Sequence, residues 1–198
     1  MGRQFGRPMG LAGWWVGRLM AVKNAAMNRA AVELLDVQPD DAVLEIGFGP
    51  GSALALIAPR LRGGYVAGVD HSVVMLRQAA RRNHKMMARG RVELRQASVA
   101  ALPYEADCYT KVFEVNTFHH WPAPEENLQE VRRVMAPGGV LLLSLRMRHP
   151  TPRRFAAPGY GESEIDAIEG LLRRAGFHDL QRERRRAGRD VTYLLAHR

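Results

Sequence analysis

Three glycines at alternate positions, Gly47, Gly49 and Gly51, follow the short apolar run from Ala42 to Ile46 and lead straight into a helix-like stretch. Glycine lets a chain turn tightly and lets a ligand approach the backbone, and a helix N-terminus just beyond offers free N–H groups. The spacing is G-x-G-x-G, which differs from the G-x-G-x-x-G of dinucleotide-binding turns. Glu45, two residues ahead of Gly47, suits a ligand with a positive charge better than a pyrophosphate. Alone, such a turn is as often structural as functional. Asp70 changes the balance: it ends the next apolar run, 23 residues after Gly47, where a carboxylate can accept hydrogen bonds from both hydroxyls of a ribose. Capping the following helix is the competing duty for Asp70, and Ser72 is better placed for it.

A second group of candidates lies past a fourth apolar run. His119 and His120 stand where a doubly wound sheet presents ligands, at the carboxyl ends of its strands, and either could serve as a base. Packing and hydrogen bonding at a helix start are the competing duties for this pair, and they weigh more. Glu114 and His149 are further candidates for a base. No metal is expected, because adjacent histidines do not readily share one ion and no cluster of Cys, Asp and Glu accompanies them.

The elements that would carry these residues alternate regularly between Pro- and Gly-marked turns. A helical pattern runs from about residue 12 to 36, with Trp15, Leu19, Val22, Ala26, Arg29, Ala30 and Leu34 mostly on one face. Strands are expected at 42–46, 65–70, 92–96, 111–116 and 140–145, the last apolar on both faces and therefore central. Helices are expected at about 51–59, from an N-cap at Ser72 to about 87, at 125–135 ended by Pro137-Gly-Gly139, and at 162–175 with Gly176 beyond its end. Two final strands, 177–185 and 191–196, are joined by a turn too short for a parallel crossover and must pair antiparallel. The alternation implies βα units in an α/β domain with a doubly wound, mostly parallel sheet.

Composition agrees with one folded domain. The chain has 198 residues, 46% hydrophobic and 25% charged, and no apolar run long enough to span a bilayer. The apolar stretch from Leu11 to Val16 is too short for a signal-peptide core, and Cys108 is the only cysteine, so a cytoplasmic protein is expected. The formal charge is +9, nearly all arginine, since only Lys23, Lys85 and Lys111 are lysines. Because the charges are spread along the chain and the one dense run, Arg182 to Arg186, includes Glu183, a solvated surface is the favoured reading over a nucleic-acid or membrane-binding face.

Taken in order, five segments resemble the class I S-adenosylmethionine-dependent methyltransferases, especially the small members akin to ubiquinone and phospholipid methyltransferases. They are Val43–Gly51, Asp70, Gln96–Tyr104, Val112–Pro122 and Val134–Gly139, within residues 40 to 146. The resemblance implies a single Rossmann-like domain over residues 1–198, with 1–36 as a lid or cap helix and 37–198 as the core. It implies helices on both faces of a seven-stranded sheet of order 3-2-1-4-5-7-6, the last strand antiparallel. The cofactor implied is S-adenosyl-L-methionine, with S-adenosyl-L-homocysteine as product. Gly47, Phe48, Gly49 and Gly51 would pass under its methionine part and Glu45 would help hold the α-amino group. Asp70 would bind the ribose, His71 and Met75 would lie along the adenine, and Val99 would offer its N–H to the ring. Glu114 and Asn116 would lie near the sulfonium and the acceptor. Two positions depart from the family pattern: Ser98 stands where a carboxylate usually accepts from the adenine amino group, and Tyr109-Thr110 replace a usual Phe-Asp.

Transfer of a methyl group from a sulfonium is an in-line displacement with a neutral leaving group, so it needs alignment and a dry pocket, and a base only if the acceptor must lose a proton. The expected acceptor is a small or lipid-like molecule. It would be enclosed by the first 35 residues and by the loop at 146–161, with Trp14, Trp15 and Tyr160 as apolar contacts. Three alternatives stay open: an RNA or DNA methyltransferase, a phospholipid headgroup methyltransferase at the membrane surface, and a non-catalytic cofactor binder.

Overall fold

The computed structural model describes residues 22, 24–149 and 159–198. Helix α1 (Ala25–Leu34) leads into β1 (Ala42–Ile46), α2 (Ser52–Ile57), β2 (Tyr65–Asp70), α3 (Val73–Met87), β3 (Val92–Gln96) and β4 (Tyr109–Val115). After these come α4 (Pro124–Val134), β5 (Met135–Arg146), α5 (Glu162–Arg174), β6 (His178–Arg186) and β7 (Asp190–His197). One-turn 3₁₀ segments, Ala58–Arg60 and Phe118–His120, follow α2 and β4.

The strands form one seven-stranded sheet in the order β3-β2-β1-β4-β5-β7-β6. The first five pair in parallel, and β7 lies antiparallel to both β5 and β6. The expected topology is therefore observed, helices on both faces included. Met27, Leu54, Ile57 and Met75 of α1, α2 and α3 pack with Phe113 and Tyr193 on one face. Leu128 and Val131 of α4 and Ile165 and Leu172 of α5 pack with Leu141 and Leu143 on the other.

Local chemistry accounts for the helix ends. The Ser72 hydroxyl accepts from Met75 N, as its spacing predicts, and His84 and Lys85 occupy the last turn of α3, where cations favour the dipole. Helix α4 starts with Pro124 and α5 ends before Gly176, whose φ is +88°. The boundaries of three elements differ from the sequence expectation. Strand β4 starts earlier, at Tyr109, and stops at Val115 because Asn116 turns left-handed (φ 59°). Strand β5 begins at Met135, directly after α4: Tyr109 pairs with Met135, and a register shift absorbs Pro137 to Gly139. Helix α2 is only six residues long. The substituted Thr110 has a structural job, its hydroxyl donating to Asp41 Oδ1 at 2.7 Å.

The helix expected from residue 12 is seen from Ala25 onward; its earlier part, with Trp14 and Trp15, and most of the loop after Arg146, residues 150–158, lie outside the described residues.

Candidate cofactor site

Strands β1 and β2 end side by side, Ile46 beside Val69, and the chain leaving β1 turns back over that edge. Gly47 N donates to Val69 O at 2.8 Å, and Gly51 N to Phe48 O at 2.9 Å. All three glycines of the turn have positive φ (+73°, +52° and +72°), and their surroundings differ. A Cβ at Gly47 would lie 2.6 Å from Thr117 Cγ2, and one at Gly51 would lie 2.7 Å from Ala79 Cβ and Asn83 Nδ2. A Cβ at Gly49 would meet nothing within 4 Å. The outer two glycines are thus required by the protein's own packing, whereas the middle one faces open space that a ligand can fill.

Three buried carboxylates surround this turn. Asp70 is 7% exposed; its Oδ2 accepts from Gly49 N at 2.9 Å and its Oδ1 from Ser72 N at 2.8 Å. Asp70 therefore ties the glycine loop to the start of α3 as well as facing the cleft, and each oxygen keeps a second lone pair for a ligand hydroxyl. Burial raises its pKa, while those two amides, His71 and His120 oppose the rise. Glu45 is 3% exposed and its Oε2 has no hydrogen-bond partner among the described residues. Burial, then Asp70, pushes its pKa well up, with the Leu54 amide opposing and Glu114 adding to the rise. A buried carboxylate oxygen without a donor costs free energy, and a cationic ligand group would relieve it.

Glu114 is fully buried, and the backbone holds both of its oxygens. Ser144 N donates to Oε1 at 2.8 Å, and Thr117 N, Thr117 Oγ1 and Phe118 N donate to Oε2 at 2.6, 3.1 and 3.1 Å. Those bonds moderate an upward shift that burial still carries to a pKa of about 7. The side chain locks the turn after β4 onto β5, and Thr117, which this turn carries, sits against Gly47.

The cleft is lined by Glu45, Gly47 to Pro50, Ser52 and Val115 to Thr117, and from α1 by Asn24 and Asn28. Sequence reasoning missed Asn24, Asn28, Thr117 and Asn83. Asn28 is buried although it lies opposite the face that the apolar periodicity of residues 15–34 picks out, so no local pattern marked it. Asn83 donates to Gly51 O at 3.1 Å and braces the loop from 32 residues away, which no local pattern reveals.

Residues 43–139 match the methyltransferase domain family. An uncharacterized methyltransferase of Bacillus subtilis is 29% identical over 164 residues, 83% of this chain and 86% of that protein. A SAM-dependent methyltransferase of Aquifex aeolicus superposes with a TM-score of 0.76 at 20% identity, over 91% of this chain and 95% of that one. The chain belongs to the class I S-adenosylmethionine-dependent methyltransferases. Its cofactor is S-adenosylmethionine, and the cleft fits that group: the open space at Gly49 and the lone Glu45 oxygen suit an amino-acid moiety carrying positive charge. A phosphoethanolamine N-methyltransferase of Haemonchus contortus, solved with phosphomonomethylethanolamine and S-adenosylhomocysteine, shares the fold at a TM-score of 0.71 and 17% identity, over 87% of this chain and 52% of that one.

The remaining candidates of this methyltransferase fall around the cleft in different ways. Asn116 lines it. Phe48 lines it too, with its ring close over Gly68, and Met75 is buried in the core. His71 is exposed, its Nδ1 3.9 Å from Asp70 Oδ1. Val99 is buried, and the exposed Ser98 has its hydroxyl accepting from Ala100 N at 3.2 Å. His119 and His120 follow β4 with ring centroids 3.9 Å apart. Burial, then His120 and Arg146, pushes His119 down to about 4; burial and His71 lower His120, with Asp70 opposing. Tyr160 is half-buried with a hydroxyl that has no partner among the described residues. His149 is exposed beyond the end of β5.

Proposed function

We propose that this methyltransferase moves the methyl group to a small or lipid-like acceptor by in-line displacement, in the cytoplasm, with residues 1–36 as the lid over a core of 37–198. S-adenosylmethionine supplies a methyl group on a sulfonium, which leaves as a neutral thioether. The chain's part is to align and to exclude water. In this reading Glu45 takes the α-amino group, Gly47, Phe48, Gly49 and Gly51 form the cradle, and Asp70 takes the ribose hydroxyls. His71 and Met75 flank the adenine, with Ser98 and Val99 meeting its edge. Asn116 faces the sulfonium side, and Glu114 holds that turn in place.

The observation that carries the reading is Glu45 Oε2, a buried oxygen left without a donor beside an open cradle. On the acceptor side, burial, then His120 and Arg146, lowers His119 to about 4, so its ring can accept a hydrogen bond from an acceptor O–H or N–H but is a weak base for removing that proton. A small acceptor is supported by the chemistry of proteins this chain resembles, among them a trans-aconitate 2-methyltransferase of an Azoarcus species, 34% identical over 77% of this chain.

The test combines calorimetric titration with S-adenosylmethionine and a label-transfer assay. Binding at micromolar affinity that Asp70→Ala abolishes, and label from the methyl group appearing in an organic-extractable or low-mass fraction, is the expected result. Label incorporated into RNA or DNA would overturn the acceptor class, and no binding of S-adenosylmethionine would overturn the cofactor roles.

A further inference from the structure

The chain's positive charge is not evenly distributed, contrary to the sequence expectation. Residues 71–92 contain Arg77, Arg81, Arg82, Lys85, Arg89 and Arg91 and no Asp or Glu. Residues 1–32 are likewise free of acids and hold five more cations, so these two stretches carry eleven, against a net +9 for the whole chain. The rest of the molecule is close to neutral.

The dense run that attracted notice in the sequence is a different case. Arg182 bridges Asp166 at 2.5 Å and Glu169 at 2.8 Å, Arg184 pairs with Glu162, and Arg185 pairs with Glu33 and Glu183. Those guanidinium groups are largely neutralised by α5 and its surroundings. None of the six cations of residues 71–92 is ion-paired with a carboxylate among the described residues. Arg82 donates to the Ser52 hydroxyl and Arg91 to Gly64 O, which orients both without cancelling charge.

Helix periodicity turns this stretch into a face. Met75, Ala79 and Asn83 point into the core, which leaves the opposite side of α3 to the cations. Arg77, Arg81 and Lys85 are four apart and form one stripe, with Arg82 exposed beside it. From Arg77 to Lys85 the face is roughly 12 Å long at the helical rise per residue, and Arg89 follows in the turn after α3. All but one of the six are arginines, whose planar fork matches phosphate oxygens.

We propose that this face of α3 is a docking surface for the phosphodiester backbone of a double-stranded nucleic acid. The choice of partner follows from shape and from what the face lacks. A membrane-surface helix presents an apolar side to the acyl chains, but the apolar side of α3 is committed to the core and Val73, 42% exposed, is the large hydrophobic residue of α3 left at the surface. A stripe of cations with Arg82 beside it on a convex helix also suits the major groove of duplex DNA, about 12 Å wide, better than a plane, which touches a cylinder along one line. The surface runs beside the cofactor cleft: Arg82 donates to Ser52 of the cleft lining, whereas Arg77, Arg81 and Lys85 are not among the lining residues.

The experiment is fluorescence anisotropy with a labelled DNA duplex of about two helical turns, over a salt series. Three proteins are compared: the unaltered chain, Arg77→Glu/Arg81→Glu/Lys85→Glu, and a charge-matched control, Arg173→Glu/Arg184→Glu/Arg186→Glu, with folding checked by thermal melts. The α3 triple should lose at least tenfold in affinity, and its log–log salt slope should fall by about three, one per phosphate contact removed. The control should stay within about threefold of the unaltered chain. Equal losses in both triples would show attraction to net charge alone and overturn the proposal. So would no binding at low salt, or α3-dependent binding to phosphatidylserine vesicles without binding to the duplex.

Discussion

Alanine at Gly47 and at Gly49 should separate stability from cofactor affinity. Both positions have positive φ, which costs an alanine about 1–2 kcal/mol. At Gly49 that is the whole cost to the fold, because a Cβ there meets nothing within 4 Å. At Gly47 the new methyl falls 2.6 Å from Thr117 Cγ2 and 2.9 Å from Thr117 Cβ. Thr117 cannot swing aside freely: its hydroxyl is held at 3.2 Å from Ile46 O and 3.1 Å from Glu114 Oε2. Overpacking of this kind adds about 1–3 kcal/mol. At about 2–4 °C per kcal/mol for a chain of this size, Gly49→Ala should lower the melting temperature by about 5 °C and Gly47→Ala by about 10 °C. Affinity should run the other way in proportion. Gly49→Ala puts a methyl group into the cradle itself and should weaken S-adenosylmethionine binding at least tenfold by calorimetry, although its fold is the less disturbed. Adding Thr117→Ser to Gly47→Ala removes the nearest contact and should restore about 1 kcal/mol or more of stability beyond additivity, a coupling absent from the same pairing with Gly49→Ala. Equal melting of the two alanine variants, or unchanged affinity in Gly49→Ala, would refute the assignment of the open space at Gly49 to the cofactor.

Two further outcomes follow from the buried titratable groups. Glu114 is held near a pKa of about 7 in the folded chain against an ordinary 4.5, so the folded state keeps a proton that the unfolded state has already lost. Stability must therefore fall as pH rises from about 4.5 through 7 and level off above, by up to about 3 kcal/mol from this group alone. Denaturant melts of the unaltered chain and Glu114→Gln should show a stability gap that narrows by that order between pH 5 and pH 8; a gap independent of pH would remove Glu114 as its source. His119→Ala should lower kcat about tenfold while leaving the S-adenosylmethionine Kd within about twofold, the pattern of a lost hydrogen bond to the acceptor. An unchanged kcat with a good acceptor would leave His119 with a packing role only.

What the sequence made legible was whatever depends on neighbours in the chain. The glycine spacing, the acid at the end of β2, the Ser72 cap and the short turn before β7 are all decided within a few residues, and all are present in the structure. Strand order was not legible in that way: local pattern yields five strands of βα type and a hairpin, and the order came with the family resemblance. Boundaries slipped where pairing across the sheet outweighs local preference, as at Met135, which pairs with Tyr109 although Pro137 and two glycines follow it. Asp70 shows a finer limit. Capping and ribose binding compete for Asp70 only when the residue is read as a single acceptor; its two oxygens accept the Ser72 and Gly49 amides and keep lone pairs for more.

Charge illustrates why density along the chain is a poor guide to a surface. Arg182 to Arg186 stands out in the sequence, but on edge strand β6 it faces α5, whose Glu162, Asp166 and Glu169 are spaced to meet it, and an exposed edge guarded by paired charges resists pairing with another sheet. The cations of α3 are separated by apolar and small residues and look diluted. Folding at 3.6 residues per turn sends Met75, Ala79 and Asn83 into the core and gathers the cations on the exposed side, with no acid between residues 71 and 92 to balance them. Net charge therefore has its physical meaning here only after the helix is drawn: the same +9 that reads as a uniform solvated coat becomes a neutral C-terminal layer and a strongly basic helix face beside the cofactor cleft.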